Sequence, residues 1–399
     1  MVLFFSASAF ALTWQEALTA ANNNSNSIKS AEKQLESSHW TYLRSYSSFL
    51  PQLSASMSMS QTEIASSSAT SKSYSYGLNA TQNLFTGLSN YYNLQSAQIE
   101  YAYNEKGLEK ARSDAYYEAR IAFINLIIAQ ENIKLQKNIL DRQIENERLV
   151  KLQYDSGKED KGNLMQNAAN RKNAEYNLSS AERALSLAQL KLAQLLGSQV
   201  ISAESEMEPS PPPDADFQKF TANSSSYLMA KYQLEQAEIA QKATVSEFLP
   251  SVSLSGSWRR SGQNWPPDSE NKSISLNLSY SFFPGGSNIA DSIINNINLS
   301  KAREDFIKSE KDLRYNIEES YIKFKDAVEA MKIAIVSLAA AEERVKIAMA
   351  KYLNGLTTYD EWNRIETDYI SSQKSALSSR KSALDAEAAW QNSYGGWVK

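Results

Sequence analysis

The sequence predicts a mainly α protein with a membrane β part, built as two tandem repeats of helix, strand, strand, long helix and helix. Three observations predict it. SYSYGLNATQNLFTG (residues 73–87) alternates, with Tyr74, Tyr76, Leu78 and Ala80 on one face and Ser75, Gly77, Asn79 and Thr81 on the other. A period of two marks a strand whose faces meet different surroundings. The passage returns as SISLNLSYSFFPGG (273–286), where Ile274, Leu276, Leu278, Tyr280 and Phe282 alternate with Ser275, Asn277, Ser279 and Ser281. Aligning Phe85 with Phe283 and Gly87 with Gly285 gives one offset, 283 − 85 = 285 − 87 = 198. Finally, each of these strands runs into a long proline-free stretch with heptad spacing, the signature of packed helices.

The bulk composition narrows the class. With 399 residues the chain can bury two ordinary cores, and a net charge of −4 argues against nucleic acid, which demands a basic face. There is no cysteine, which excludes disulfides, thiolate metal sites, a cysteine nucleophile and an acylated cysteine anchor. The sequence has no apolar run of the roughly eighteen residues that a membrane-spanning helix needs. Residues 1–11, MVLFFSASAFA, read as the remnant of a secretory signal ending in an A-x-A site at Ala9-Phe10-Ala11. The basic segment that opens such signals is missing, so a truncated start is expected.

Repeat 1 is expected over 12–199. From 13 to 48 the pattern is helical, with Ile28, Leu35, Tyr42 and Phe49 seven apart. Pro51 stops it, because proline lacks an N–H and pushes its predecessor out of the α region. A strand follows at about 51–62, with Leu53, Ala55, Met57 and Met59 alternating with serines, then a polar connector and the second strand at about 73–85. After Gly87, Leu94, Tyr101, Leu108, Ala115, Ala122 and Ala129 mark a helix to about Tyr154, on the order of 100 Å long at ~1.5 Å per residue. A hairpin tip at about 155–162 contains Gly157, and a helix with a seam from Ala174 to Leu195 closes the repeat.

Residues 200–216 are acidic and proline-rich, and read as a semi-rigid linker. Repeat 2 then covers 217–399, with Phe248-Leu249-Pro250 matching Phe49-Leu50-Pro51 at an offset of 250 − 51 = 199. Its strands are expected at about 250–260 and 272–283, and its tip, with Gly355, at about 353–360. One residue is therefore gained or lost between Pro51 and Phe85, which places it in the connector. Pro51, Gly87, Pro250, Pro284 and Gly285 are the breakers where strand and helix exchange.

Four alternating strands suit a transmembrane β-barrel, yet about eight is the smallest that closes. In lipid an open sheet edge leaves backbone groups unpaired at several kcal/mol each. The strands must therefore be shared between chains, and three copies give twelve. Tyr74, Tyr76, Trp258, Tyr280, Phe282 and Phe283 are candidates for interfacial aromatic belts.

With FLP before the first strand of each repeat, the exits Phe85-Thr86-Gly87 and Phe283-Pro284-Gly285, and the tips YDSGKEDKGNL and YLNGLTTYDEW, the chain resembles the TolC-like outer-membrane efflux proteins from about Thr13 to Gly396. The resemblance implies a homotrimer with a 12-stranded β-barrel in the bacterial outer membrane and a 12-helix α-barrel in the periplasm. It also implies an exit duct for efflux or type I secretion, with hairpin tips docking on a periplasmic adaptor coupled to an inner-membrane transporter. On that basis Gly157, Gly355 and Leu356 are docking-tip residues. At the entrance, Glu361 keeps the family's acid six residues after Gly355 and Tyr352 its tyrosine, whereas Arg364 replaces a second acid. Thr357 replaces the family's arginine and Asn163 the acid of the first tip, so the gate is expected to be only partly conserved in chemistry.

Catalysis is not expected. His39 is the only histidine and stands beside Trp40, so the usual triads and zinc sites cannot be assembled. Acid pairs such as Glu342-Glu343 and Asp360-Glu361 fit solvated helix faces, and Gly285-Gly286 after Pro284 lacks the third glycine of a phosphate loop. No cofactor or metal is expected. The competing reading is a periplasmic coiled-coil adaptor or a fibrous surface protein, neither of which needs lipid-facing strands.

Overall fold

A computed structural model describes residues 11–64, 69–204 and 207–398, so most of the expected signal remnant lies outside the described residues. Repeat 1 runs α1 (Trp14–Asn24), α2 (Asn26–Ser45), β1 (Gln52–Ile64), β2 (Ala69–Thr86), α3 (Ser89–Asp155) and α4 (Lys161–Leu196). Repeat 2 runs α5 (Phe217–Ala222), α6 (Ser225–Ala243), β3 (Ser251–Gly262), β4 (Ser269–Ser279), α7 (Ser287–Leu353) and α8 (Tyr359–Ser393). The chain forms two compact units: one of Ala31–Leu108 and Ser226–Lys311, the other of Glu109–Ser225 and Asp312–Lys399 with the residues up to Ser30.

The smaller unit holds an antiparallel sheet in the order β1-β2-β3-β4. Each repeat supplies one hairpin, and β2 pairs with β3 across the repeats, with Leu78 opposite Trp258. Leu53↔Ala80 and Val252↔Leu278 are equivalent pairs at offsets of 252 − 53 = 199 and 278 − 80 = 198. Pairing is regular out to Ile64↔Ala69 and Ser261↔Ser269, so the extra residue of repeat 1 belongs to the connector. β4 ends at Ser279 rather than near 283, because Ser279 pairs with Ser251, the first residue after Pro250, and β3 offers nothing further. Pro51 likewise stands just before β1, after a 3-10 turn over Tyr46–Phe49.

The two sheet faces differ as the alternation requires. Leu53, Met57, Leu78, Ile274, Leu276 and Leu278 are exposed. The other face is stitched by hydroxyls: Ser58 with Ser75 at 2.8 Å, Ser257 with Ser273 at 2.8 Å, and Arg259 Nη2 donating to Ser75 Oγ at 2.8 Å. Tyr74 and Tyr76 pack against Trp265 and Tyr76 also against Trp258, with ring centroids 5.8–6.2 Å apart, while exposed Tyr280, Phe282 and Phe283 follow the other end of β4. Trp258 pairs with Lys272, and from there to Tyr280 is about 26 Å along the strand. That is the scale of the ~25 Å apolar band of an outer-membrane barrel.

At the exits Gly87 has φ +63° and Gly285 φ +70°, a left-handed backbone that favours glycine. A Cβ on Gly87 would also lie 2.7 Å from Ser246 O. His39 packs edge-on to Trp40 and against Tyr101, as a structural residue does.

In the larger unit Phe123, Leu126 and Ile127 of α3 are buried with Ala17 and Ala21 of α1 and Leu192 and Leu196 of α4. Each large side chain of that cluster contributes roughly 1.5–3 kcal/mol by leaving water. The single helix expected over 13–48 is instead broken at Ser25, which is extended. Asn and Ser side chains compete for the backbone there, and Asn24 Nδ2 is drawn to Leu196 O at 2.8 Å. The described residues of 200–216 are tied to the helices: Ala203 bridges to Leu12 and exchanges hydrogen bonds with Gln130, and Arg380 Nη2 donates to Met207 O at 2.7 Å. Farther on, the Tyr321 hydroxyl donates to Pro213 O at 2.7 Å.

Candidate functional site

The site is built where α3 turns into α4 and α7 into α8. Both turns close by the same hydrogen bonds. Lys158 N donates to Gln153 O and Gly157 N to Tyr154 O, both at 2.9 Å; Leu356 N donates to Lys351 O at 2.9 Å and Gly355 N to Tyr352 O at 3.0 Å. This six-to-one plus four-to-one pairing is a Schellman motif, which needs a left-handed residue after the helix. Gly157 and Gly355 supply it, each with φ +72°. Three residues on, Asp160 and Thr358 cap the return helices by accepting from Asn163 N and Glu361 N, at one repeat spacing of 358 − 160 = 198. Leu356 is 75% exposed at the second tip.

The two tips are tied together by a residue that sequence comparison passed over. Glu159 accepts from the Tyr352 hydroxyl on Oε2 at 2.7 Å and from Asn163 Nδ2 on Oε1 at 2.7 Å. Asn163 carries no charge of its own, and the carboxylate beside it is that of Glu159, four residues earlier in the turn. Tyr352 stacks on Trp362 with centroids 4.6 Å apart and planes 6° off parallel, and Trp362 is fully buried. Beside it the Tyr359 hydroxyl accepts from Asn167 Nδ2 at 2.7 Å. Burial first, then the Glu159 carboxylate, push the Tyr352 phenol above its ordinary value; burial pushes Tyr359 up to about 12. Both phenols are therefore neutral across the physiological range, and Tyr352 remains a donor to Glu159. Tyr352 and Asn163 are expected at this end of the chain; the signal for their buried neighbours is the aromatic pair in YDEW following a tip glycine.

Glu361 and Arg364 meet, but as each other's partners. Arg364 Nη2 lies 2.7 Å from Glu361 Oε1 and its Nε 3.1 Å from Oε2, a bidentate pair on an exposed helix face. Hydrogen bonding to Arg364 holds the Glu361 carboxyl below the usual range. Asp368 stands 3.6 Å from Arg364 on its other side. Glu361 is thus a largely compensated charge. Sequence reasoning also missed two ion pairs that fix α8 against α3: Arg142 with Glu366, which is buried, and Arg380 with Glu131 at 2.7 Å.

Removing the carboxylate that joins the tips should loosen them. Each Tyr352–Glu159 bond is worth on the order of 1–2 kcal/mol, a charge-assisted value discounted for the partial exposure of Glu159. Glu159→Ala is expected to speed hydrogen exchange of the backbone amides at both tips several-fold, and Tyr352→Phe to do the same in smaller measure. Unchanged exchange in both variants would show that this contact does not join the tips.

Comparison with known proteins now adds to the geometry. The profile of a family described as outer membrane efflux protein matches residues 17–198 and 217–396, one stretch per repeat. Among solved structures, the chain is similar to CusC at 16% identity and a TM-score of 0.86, covering 96% of this chain and 91% of that one. It is similar to the Campylobacter jejuni CmeC outer membrane channel at 16% identity and a TM-score of 0.84, covering 96% and 85%. A third likeness is to the open state of the Neisseria gonorrhoeae MtrE outer membrane channel, at 17% identity and a TM-score of 0.84, covering 97% and 89%. No curated protein matches the sequence.

Proposed function

Because the chain belongs to the outer membrane efflux protein family, we propose that three copies form a passive exit duct in the outer membrane, fed from the periplasm by an adaptor and an inner-membrane transporter. The observation that carries this reading is the sheet. β1 and β4 are edges within the chain, and the face carrying Leu53, Met57, Leu276 and Leu278 is apolar and open. In lipid both edges must pair. Joining β4 of one copy to β1 of the next, three times over, closes twelve strands and leaves no edge.

The helical hairpins serve the other end. Two tips of the same backbone shape, with Leu356 exposed on one and Lys158, Asp160 and Lys161 around the other, present a docking surface for an adaptor. Tyr352, Glu159 and Asn163 hold neighbouring hairpins at the entrance, and Glu361 with Arg364 sets a nearly neutral rim there. An adaptor reading explains the hairpins but leaves the apolar sheet face without a purpose.

Detergent-solubilised protein should behave as a trimer. Light scattering or mass photometry is expected to return three chain masses, stable to dilution. A monodisperse monomer would remove the shared barrel and the duct with it.

A further inference from the structure

The larger unit also carries a trough that runs back from the tips, with Ile128, Ala181, Ala184 and Leu377 among the polar side chains of its lining. Two cavities of about 610 and 320 Å³ share Asn177 and Lys374, and so run on from one another between α3, α4 and α8. On α8 the trough is lined by Asn363, Thr367, Ser371, Lys374 and Ser378, a single stripe at steps of three and four. Asn170, Asn173 and Asn177 form the facing stripe on α4. Met207 is held outside it, by Arg380, which belongs to the neighbouring stripe of Gln373 and Ala376.

The charge of this trough is unlike that of the chain. Acids outnumber bases overall, 45 to 41, yet no residue lining either cavity is acidic. Lys381 is paired with Asp385. Lys374 has no carboxylate within 4.0 Å among the described residues, so its ammonium is uncompensated in the middle of the trough.

Amides are arranged in order along the trough. Gln136 Nε2 donates to Asn132 Oδ1 at 3.0 Å, leaving Asn132 Nδ2 as a donor. Gln166 Nε2 donates to Asn170 Oδ1 at 3.0 Å, and Asn170 Nδ2 in turn to Asn363 Oδ1 at 3.4 Å, leaving Asn363 Nδ2 as another. Gln136 is only 6% exposed, and its Oε1 is buried with no partner. A buried acceptor of this kind calls for a donor that the chain does not supply, an ordered water or a bound group.

An uncompensated ammonium, free amide donors and one unmet acceptor together describe an anionic oxygen group with a hydroxyl beside it. We infer that the trough is a transit site for small hydroxylated organic anions, lining the conduit of the proposed duct. This rests on the exit-duct reading and names its substrate class. Three copies would set three Lys374 ammoniums around one lumen, concentrating anions there in a way that salt weakens.

The test uses the full chain reconstituted in planar bilayers, with potassium chloride gradients and then potassium gluconate as the hydroxylated anion. Lys374→Glu is expected to lower the anion-to-cation permeability ratio by about tenfold at low salt. Asn177→Asp, which puts a carboxylate into the same trough from a different helix, should shift it the same way. Gluconate should reduce chloride current through the unmodified channel, and this block should be lost in Lys374→Gln. Conducting channels whose reversal potential ignores both Lys374→Glu and Asn177→Asp would overturn the inference while leaving the duct intact, as would a chloride current that gluconate does not touch. An unmodified chain that forms trimers but never conducts would take down the duct reading and this inference together.

Discussion

Leu276→Arg should largely abolish insertion into the outer membrane, while Asn277→Arg, one residue along, should be tolerated. Leu276 lies midway between Lys272, the partner of Trp258, and Tyr280, and is 67% exposed on the apolar face. A cation placed at the midplane of a lipid-facing strand costs about 2–4 kcal/mol, and less toward either interface. That range corresponds to roughly 30-fold to nearly 1,000-fold in an equilibrium. Leu278→Arg should be milder, since Val252↔Leu278 is the last pair but one of the ladder. Asn277 instead belongs to the hydroxyl face, where Asn277 Nδ2 donates to Ser255 Oγ at 3.3 Å, and a cation there remains in water. The amount of heat-resistant trimer recovered from outer membranes measures all three. Equal losses from Leu276→Arg and Asn277→Arg would mean that the alternation does not divide a lipid face from a water face.

Gly355→Val and Gly157→Val should each stop export while trimers continue to reach the membrane. A Cβ at either glycine would meet nothing within 4 Å, so the penalty is one of conformation rather than collision. Forcing a side chain into the left-handed region costs about 1–2 kcal/mol, and more when it is β-branched. The turn escapes that strain by opening, which breaks the hydrogen bonds from Lys158 to Gln153 and from Leu356 to Lys351 and displaces exposed Leu356. Asn is the side chain that best tolerates this backbone, so Gly355→Asn should keep the turn and a substantial part of transport. Export of a fluorescent substrate from cells without another channel, scored against trimer abundance, gives the result. Full transport by both valine variants at normal abundance would remove the tips from the docking surface.

Much of this protein is determined by patterns that lie along the chain. Alternation at period two marked the strands, heptads marked α3, α4 and α7, and the breakers Pro51, Gly87, Pro250 and Gly285 marked where one gives way to the other. The 198-residue offset of the tip glycines carried over into identical turns. These features are legible because backbone geometry and burial act on neighbours three, four or two residues apart, whatever else the chain does.

What the tertiary structure alone decided are the meetings of residues far apart in sequence. Glu159 joins Tyr352, Arg142 joins Glu366 and β2 joins β3 only because particular helices and strands become neighbours, and no local period records that choice. Asn163 and Glu159 show the limit most plainly. An acid is expected six residues after the glycine, but in the folded turn the carboxylate two residues after it reaches Tyr352. The trough has the same origin. Asn170, Asn177 and Lys374 each sit on a helix face that the sequence shows only as polar, and the packing of α4 against α8 makes those faces one surface with an uncompensated charge.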